Sequence, residues 1–277
     1  MSTRHLVFTD LDGTLLDHYS YAFAPAHDAL ALCRAREVPV IANTSKTHAE
    51  MRHWAKVLDL QAPYIVENGA AIVFLPAAQH LYRFETFASD GSARIALSPK
   101  RDVLLERAEA LLRDWRHCAR PFSQMTVAAL MRLTGLSQEA AHQALTRDYS
   151  EPMHWTGSAD ELQLFAEQAR SIGLRATRGG RFVHLQGDCD KGRALRALLR
   201  FYEQAYPGER WRSVALGDGD NDISMLQAAD IAVRVKSPVN PYPEVGPHSR
   251  CLSTTACGPA GWNQAVLSIL DEEFQHG

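Results

Sequence analysis

The sequence predicts an α/β protein, a parallel β-sheet wrapped by helices and interrupted by an inserted α+β domain. Three observations predict it. Short apolar runs alternate with helical stretches over the first 75 residues, and the same alternation returns after about residue 188. The stretch between them has its own pattern of helices and strands. The chain has 277 residues, 46% hydrophobic and 22% charged, enough for one or two packed domains. With 29 Lys+Arg against 32 Asp+Glu the formal net charge is -3, so binding of nucleic acid or anionic lipid through bulk charge is not expected. No apolar run is long enough for a membrane span, and no signal peptide is visible. Five cysteines without a Cys-x-x-Cys pair read as reduced thiols of a cytoplasmic protein.

Taken in order, residues 5–9 form a short apolar strand that stops at Asp10. A helix over 26–36 and a buried strand over 38–42 follow. Thr47 and Glu50 have capping-box spacing and open the next helix, with Met51, Trp54, Ala55 and Leu58 on one face. Residues 64–66 and 70–75 are the third and fourth strands of the parallel sheet. Beyond residue 83, helices are expected over 99–117 and 137–146, and a third runs to Ser171 with Asp160 as its cap. Strands at 174–178 and 181–186 flank Gly179-Gly180, a two-residue hairpin signal. A helix over 191–205, a strand over 213–216, an acidic turn, a helix into Ala229, a strand over 231–235 and a terminal helix over 263–274 complete the chain. The Pro-rich stretch 237–247 reads as loop.

Chemistry concentrates at strand ends. Asp10 and Asp12, in Asp-Leu-Asp-Gly-Thr, project to one side of an extended backbone before Gly13 turns it. Two close carboxylates repel, and a magnesium ion between them would keep Asp10 ionised as a nucleophile while Asp12 serves as acid and base. Gly217-Asp218-Gly219-Asp220-Asn221-Asp222 also follows an apolar strand. It is not a calcium loop, because Ile223 and Ala229 stand where that loop needs Gly and Glu, but three carboxylates, Asp218, Asp220 and Asp222, at a strand end still favour binding of another metal over a plain surface turn. Thr44-Ser45-Lys46-Thr47 brings hydroxyls and backbone N–H groups to a helix start, where an anion can rest. Lys191 opens a helix at the end that disfavours positive charge, a placement that either needs an anion nearby or is merely tolerated at the surface. In a parallel sheet these segments share one edge, the edge where ligands bind.

In that order, the four segments resemble the motifs of the haloacid dehalogenase superfamily of phosphatases. The resemblance implies a Rossmann-like core of residues 1–83 and 188–277, with residues 84–187 forming a C2-type cap that sets substrate specificity. Thr44-Ser45-Lys46-Thr47, Glu67-Asn68-Gly69-Ala70, Arg147-Asp148-Tyr149-Ser150-Glu151-Pro152 and Gly179-Gly180-Arg181-Phe182-x-His184 look like the mannosyl-3-phosphoglycerate phosphatases. The family's chemistry then implies an aspartyl-phosphate on Asp10, acid/base work by Asp12, and charge and hydrogen-bond support from Lys191 and Thr44. Magnesium would be held by Asp10, the Asp12 carbonyl, Asp218 and Asp222. Ser45, Lys46, Asn68, Arg181 and His184 would touch the substrate, a small phosphorylated sugar or phosphoglycerate glycoside. A glucosyl substrate, another sugar phosphate, a phosphosugar mutase and a sugar-phosphate sensor remain open alternatives at this point.

Overall fold

The computed structural model describes residues 3–179 and 182–275. The chain opens with β1 (Thr3–Thr9), α1 (His27–Ala35), β2 (Val40–Ala42), α2 (His48–Val57), β3 (Tyr64–Val66), β4 (Ala71–Phe74) and β5 (Ala93–Ala96). It continues through α3 (Arg101–Asp114), β6 (Ala119–Pro121), α4 (Val127–Thr134), α5 (Gln138–Leu145), β7 (Ser150–Trp155), α6 (Ala159–Ser171), β8 (Arg175–Gly179) and β9 (Phe182–Gln186). It returns with α7 (Lys191–Ala205), β10 (Arg210–Gly217), α8 (Ile223–Ala228), β11 (Ile231–Lys236), β12 (Cys251–Cys257) and α9 (Gly258–Gln275).

The central sheet is five-stranded, in the order β12-β11-β10-β1-β2, with every pairing parallel. Alternate residues of β1 face opposite sides. Val7 joins the cluster built with Leu30, Met51 and Trp262, whereas Leu6 and Phe8 join the cluster built with Leu195, Leu198 and Met225. Helices therefore cover both faces. The chain leaves β1 toward β2 on one side and returns at β10 on the other, so the crevice beyond β1 and β10 is the switch point of the sheet.

The strands at 64–66 and 71–74 are buried as expected but do not extend the parallel sheet. They form an antiparallel hairpin, and β5 pairs with β4 to make a separate three-stranded sheet. The reason lies in the connection. Glu67, Asn68 and Gly69 adopt positive φ in succession (52°, 57° and 92°), which reverses the chain at once, while a parallel crossover needs a dozen residues or more. Because β5 pairs with β4, a boundary at 83/84 separates that strand from its partner.

Between β5 and α7 lies a four-stranded antiparallel sheet, β6-β7-β9-β8. Met153, Val183 and Leu185 pack on Leu104, Leu112 and Phe165 of α3 and α6. The opposite face of β9 carries Phe182 and His184. Trp115 and Trp155 sit in the helix-side core, 5.7 Å apart between ring centroids. The cap of α6 is Ser158, in a capping box with Glu161, rather than Asp160. Gly179, the last residue of β8, pairs with Phe182, the first of β9. Gly180 and Arg181 lie outside the described residues. Elements β5, β6, α4, β7 and β12 carried no expectation; β12 follows the Pro-rich loop and pairs with β11 at the sheet edge.

Candidate active site

Asp10 lies just beyond the end of β1, where its N–H donates to Leu216 O of β10 at 2.9 Å. The next residues fold back on themselves, with Leu16 N donating to Leu11 O and Gly13 N to Leu16 O. Gly13 has φ +84°, and a Cβ there would sit 2.6 Å from Asp218 Oδ2. Glycine is thus required both for the turn and for the approach of Asp218. Thr14 Oγ1 donates to Asp218 Oδ1 at 2.9 Å, tying the first acidic segment to the last. In the turn Asp220–Asp222, Asp222 Oδ2 accepts from Asp218 N and Gly219 N, both at 3.0 Å.

Lys191 is fully buried beneath this cluster. Its Nζ donates to Asp10 Oδ1 and Asp222 Oδ1, each at 2.6 Å. Burial alone would lower the ammonium pKa, but Asp10 and Asp222 more than reverse that and hold it charged. Burial pushes Asp10 well above the usual carboxylate range, an effect that Lys191 opposes and that Asp222 and Asp218 reinforce. Asp218 is pushed up to about 7, again by burial first and then by Asp222. Carboxylate oxygens of Asp10, Asp218 and Asp222 lie within 4.8 Å of one another. Lys46 Nζ is 2.8 Å from the Asp12 carboxylate and lies 5.1 Å from the Tyr21 ring centroid. Asp12 and Glu50 outweigh burial there and keep Lys46 charged. Four carboxylates (Asp10, Asp12, Asp218, Asp222) thus face two ammoniums (Lys46, Lys191), so that with all four ionised the cluster of oxygen donors carries two negative charges in excess. That donor set and that charge fit a hard divalent cation such as Mg2+.

Above the acidic cluster is a cavity of about 500 Å3 lined by core and cap residues together. Asp10, Asp12 and Asp218 form its floor, Ser45 and Lys46 one side, and Phe122, Leu130 and Phe182 an apolar cap wall. His184 reaches the cavity from β9. Burial, then Arg147 and Lys191, lower its pKa to about 3, so the ring is neutral. Its Nδ1 is buried and has no partner among the described residues.

The family model of haloacid dehalogenase-like hydrolases matches residues 7–90 and 164–241. The chain belongs to that family. Two curated relatives, from Methanococcoides burtonii and Persephonella marina, are each named glucosyl-3-phosphoglycerate/mannosyl-3-phosphoglycerate phosphatase. They are 32% and 35% identical, over 96% of this chain and 97% of each relative. A solved phosphatase of the superfamily from Bacteroides thetaiotaomicron superposes with a TM-score of 0.64 at 18% identity, covering 98% of this chain and 95% of that one, and shows the shared fold. Like those relatives, the chain is a phosphoric monoester hydrolase, as its motifs implied.

Within this family member, most of the residues singled out from the sequence converge on one edge of the sheet. Asp10, Asp12, Ser45, Lys46, His184 and Asp218 line the cavity, while Lys191 and Asp222 lie directly behind Asp10. Thr44 is fully buried, and its Oγ1 accepts from Lys46 N at 3.2 Å. Asn68 does not line the cavity. It stands behind Asn221, which does, and accepts from Asn221 Nδ2 at 3.2 Å. Three residues escaped sequence reasoning. Thr14 had a signal, as part of Asp-x-Asp-Gly-Thr. Glu67 and Arg147 lay in quoted motifs, but nothing in the sequence told that a core turn and a cap strand meet. Among the described residues, no helix is long and apolar enough to cross a membrane.

Proposed function

We propose that this phosphatase removes the phosphate of mannosyl-3-phosphoglycerate, or of its glucosyl analogue, to release the glycosylglycerate. The similarity to the two curated relatives over nearly the whole chain, cap included, carries the reading. The cavity supports it, since a charged floor facing an apolar cap wall suits a phosphomonoester with a bulky leaving group. The free cysteines fit a reducing compartment such as the cytoplasm.

Asp10 is the nucleophile. One of its oxygens bonds to phosphorus as the bond to the leaving oxygen breaks, giving an aspartyl-phosphate and the alcohol. Asp12 gives its proton to the departing oxygen, then takes one from the water that cleaves the intermediate. Lys191 offsets the charge of Asp10 throughout. The Thr44 and Ser45 hydroxyls and the Ser45 N–H are the donors assigned to phosphoryl oxygens. Asp10, the Asp12 carbonyl and Asp218 would hold Mg2+, with Asp222 in support, and the ion would supply the positive charge that keeps Asp10 ionised. Asn68 supports Asn221, and His184 contributes a neutral ring to the wall that faces the substrate. Arg181 is assigned to the substrate carboxylate on sequence grounds alone.

Phosphate release from a panel of sugar phosphates and phosphoglycerate glycosides, with Mg2+ or with chelator, tests the reading. The two phosphoglycerate glycosides should lead the panel, and chelator should abolish release. Preference for a simple hexose phosphate would overturn the substrate assignment.

A further inference from the structure

The carbonyl oxygens of Thr44, Ser45 and Lys46 follow one another through the loop after β2, and each accepts a hydrogen bond from a different residue. Asn68 N donates to Thr44 O at 2.9 Å, and Glu67 N donates to Lys46 O at 3.0 Å. Both donors belong to the core turn at 67–69. The Ser45 carbonyl between them is held from the cap instead, by Arg147 Nη2 at 2.7 Å. Two residues on, Thr47 Oγ1 donates to Gln143 O of α5 at 3.0 Å. Lys46 is therefore bracketed by cap contacts on both sides, and it carries the ammonium that meets Asp12.

Arg147 is not a mobile surface latch. Its side chain is 4% exposed, its Nε donates to Ser150 Oγ at 3.0 Å, and its Nη1 donates to Ala144 O at 3.4 Å. Glu67 stands 3.4 Å away. That carboxylate is itself buried and accepts from Asp148 N at 2.9 Å, Tyr149 N at 3.2 Å and Ser150 Oγ at 2.6 Å. One core carboxylate thus shapes the cap segment that aims Arg147, and Arg147 reaches back to the core loop. A buried pair so hydrogen-bonded is costly to break from one side.

We infer that Arg147 is a positioning residue that ties the docking of the cap to the alignment of the Lys46–Asp12 pair. The inference rests on the proposed acid/base role of Asp12. During attack by Asp10, the electron pair of the breaking bond passes to the leaving oxygen, and a well-placed Asp12 protonates it. A misaligned Asp12 leaves that oxygen to depart as an anion, which a good leaving group tolerates and a poor one does not.

The test compares kcat/KM of wild type, R147Q, R147K and D12N over aryl phosphates of similar size, from 2,4-dinitrophenyl to phenyl phosphate. R147Q should lose on the order of a hundredfold on phenyl phosphate and far less on the dinitrophenyl ester, moving toward the D12N profile. R147K, which keeps a donor for Ser45, should recover most of the loss. A uniform loss across the series, or none, would mean that Arg147 acts only on fold or binding, and would overturn the inference. Should R147Q fail to fold, E67Q must show the same dependence on the leaving group, and a flat profile overturns the inference equally. A D12N enzyme whose losses do not depend on the leaving group would overturn the acid/base assignment beneath it.

Discussion

Lys191 shows how much chemistry one side chain can organise. A fully buried ammonium is tolerated because two carboxylates accept from it at 2.6 Å, and one of those is the nucleophile. Asp10→Asn should abolish phosphate release while leaving the circular dichroism spectrum intact, since the amide is nearly isosteric and Asp222 still pairs Lys191. Substantial turnover in a preparation free of wild type would remove Asp10 from its role. His184 gives a prediction of a different kind. Its pKa is about 3 in the folded chain against 6.5 for the free ring, so the unfolded chain binds the extra proton between those values. Stability therefore falls as pH drops below 6.5, by up to about 3 kcal/mol at pH 4 if the whole difference is expressed. H184Q, with no proton to gain, should lose less stability than wild type between pH 7 and pH 4 in urea titrations. Parallel curves for the two proteins would show that the ring does not govern acid sensitivity.

At the scale of elements, the turn at 67–69 joins the parts of the site. It supplies two donors to the loop after β2, the carboxylate that shapes the cap segment, and the surface against which α7 begins. Gly69 has φ +92°, and a Cβ there would collide with the carbonyl oxygen of Asp190, the residue before Lys191. Gly69→Ala should cost roughly 3 kcal/mol or more in urea unfolding, from backbone strain and steric clash together. A variant within error of wild type would show that α7 yields freely there. The same turn marks where the sequence stops being readable. The helix from Lys191, the capped helix from Thr47 and the strands ending at Asp10 and Gly217 were legible, because periodicity, caps and acidic turns are local signals. The strands at 64–66 and 70–75 read as members of the parallel sheet, because the three successive positive φ values between them depend on what the turn packs against. The fold class was read correctly for the same reason that the meeting of Glu67 with Arg147 was not. The first needs only the order of elements, whereas the second needs the docking of two domains.

Over the whole molecule the formal charge is only -3, yet four carboxylates gather around two ammoniums at the centre of the sheet edge. Such a cluster is destabilising by itself, because buried like charges repel in a medium that screens them poorly. A bound divalent cation converts the same cluster into a source of stability, growing by about 1.4 kcal/mol for each tenfold rise in ion concentration beyond the Kd. Asp218→Asn separates these two effects. The Asn Oδ1 can still accept from Thr14 Oγ1, so the local fold has no reason to change, while one of the crowded charges is gone. In chelator the variant should melt at a higher temperature than wild type, and added Mg2+ should raise the wild-type Tm but scarcely move the variant. The two melting curves would then cross over as Mg2+ increases. A variant whose Tm still climbs with Mg2+ as steeply as wild type would show that the ion, if bound, does not depend on Asp218. A variant less stable than wild type in chelator would show that hydrogen bonding to Thr14, rather than repulsion among the carboxylates, dominates at this position.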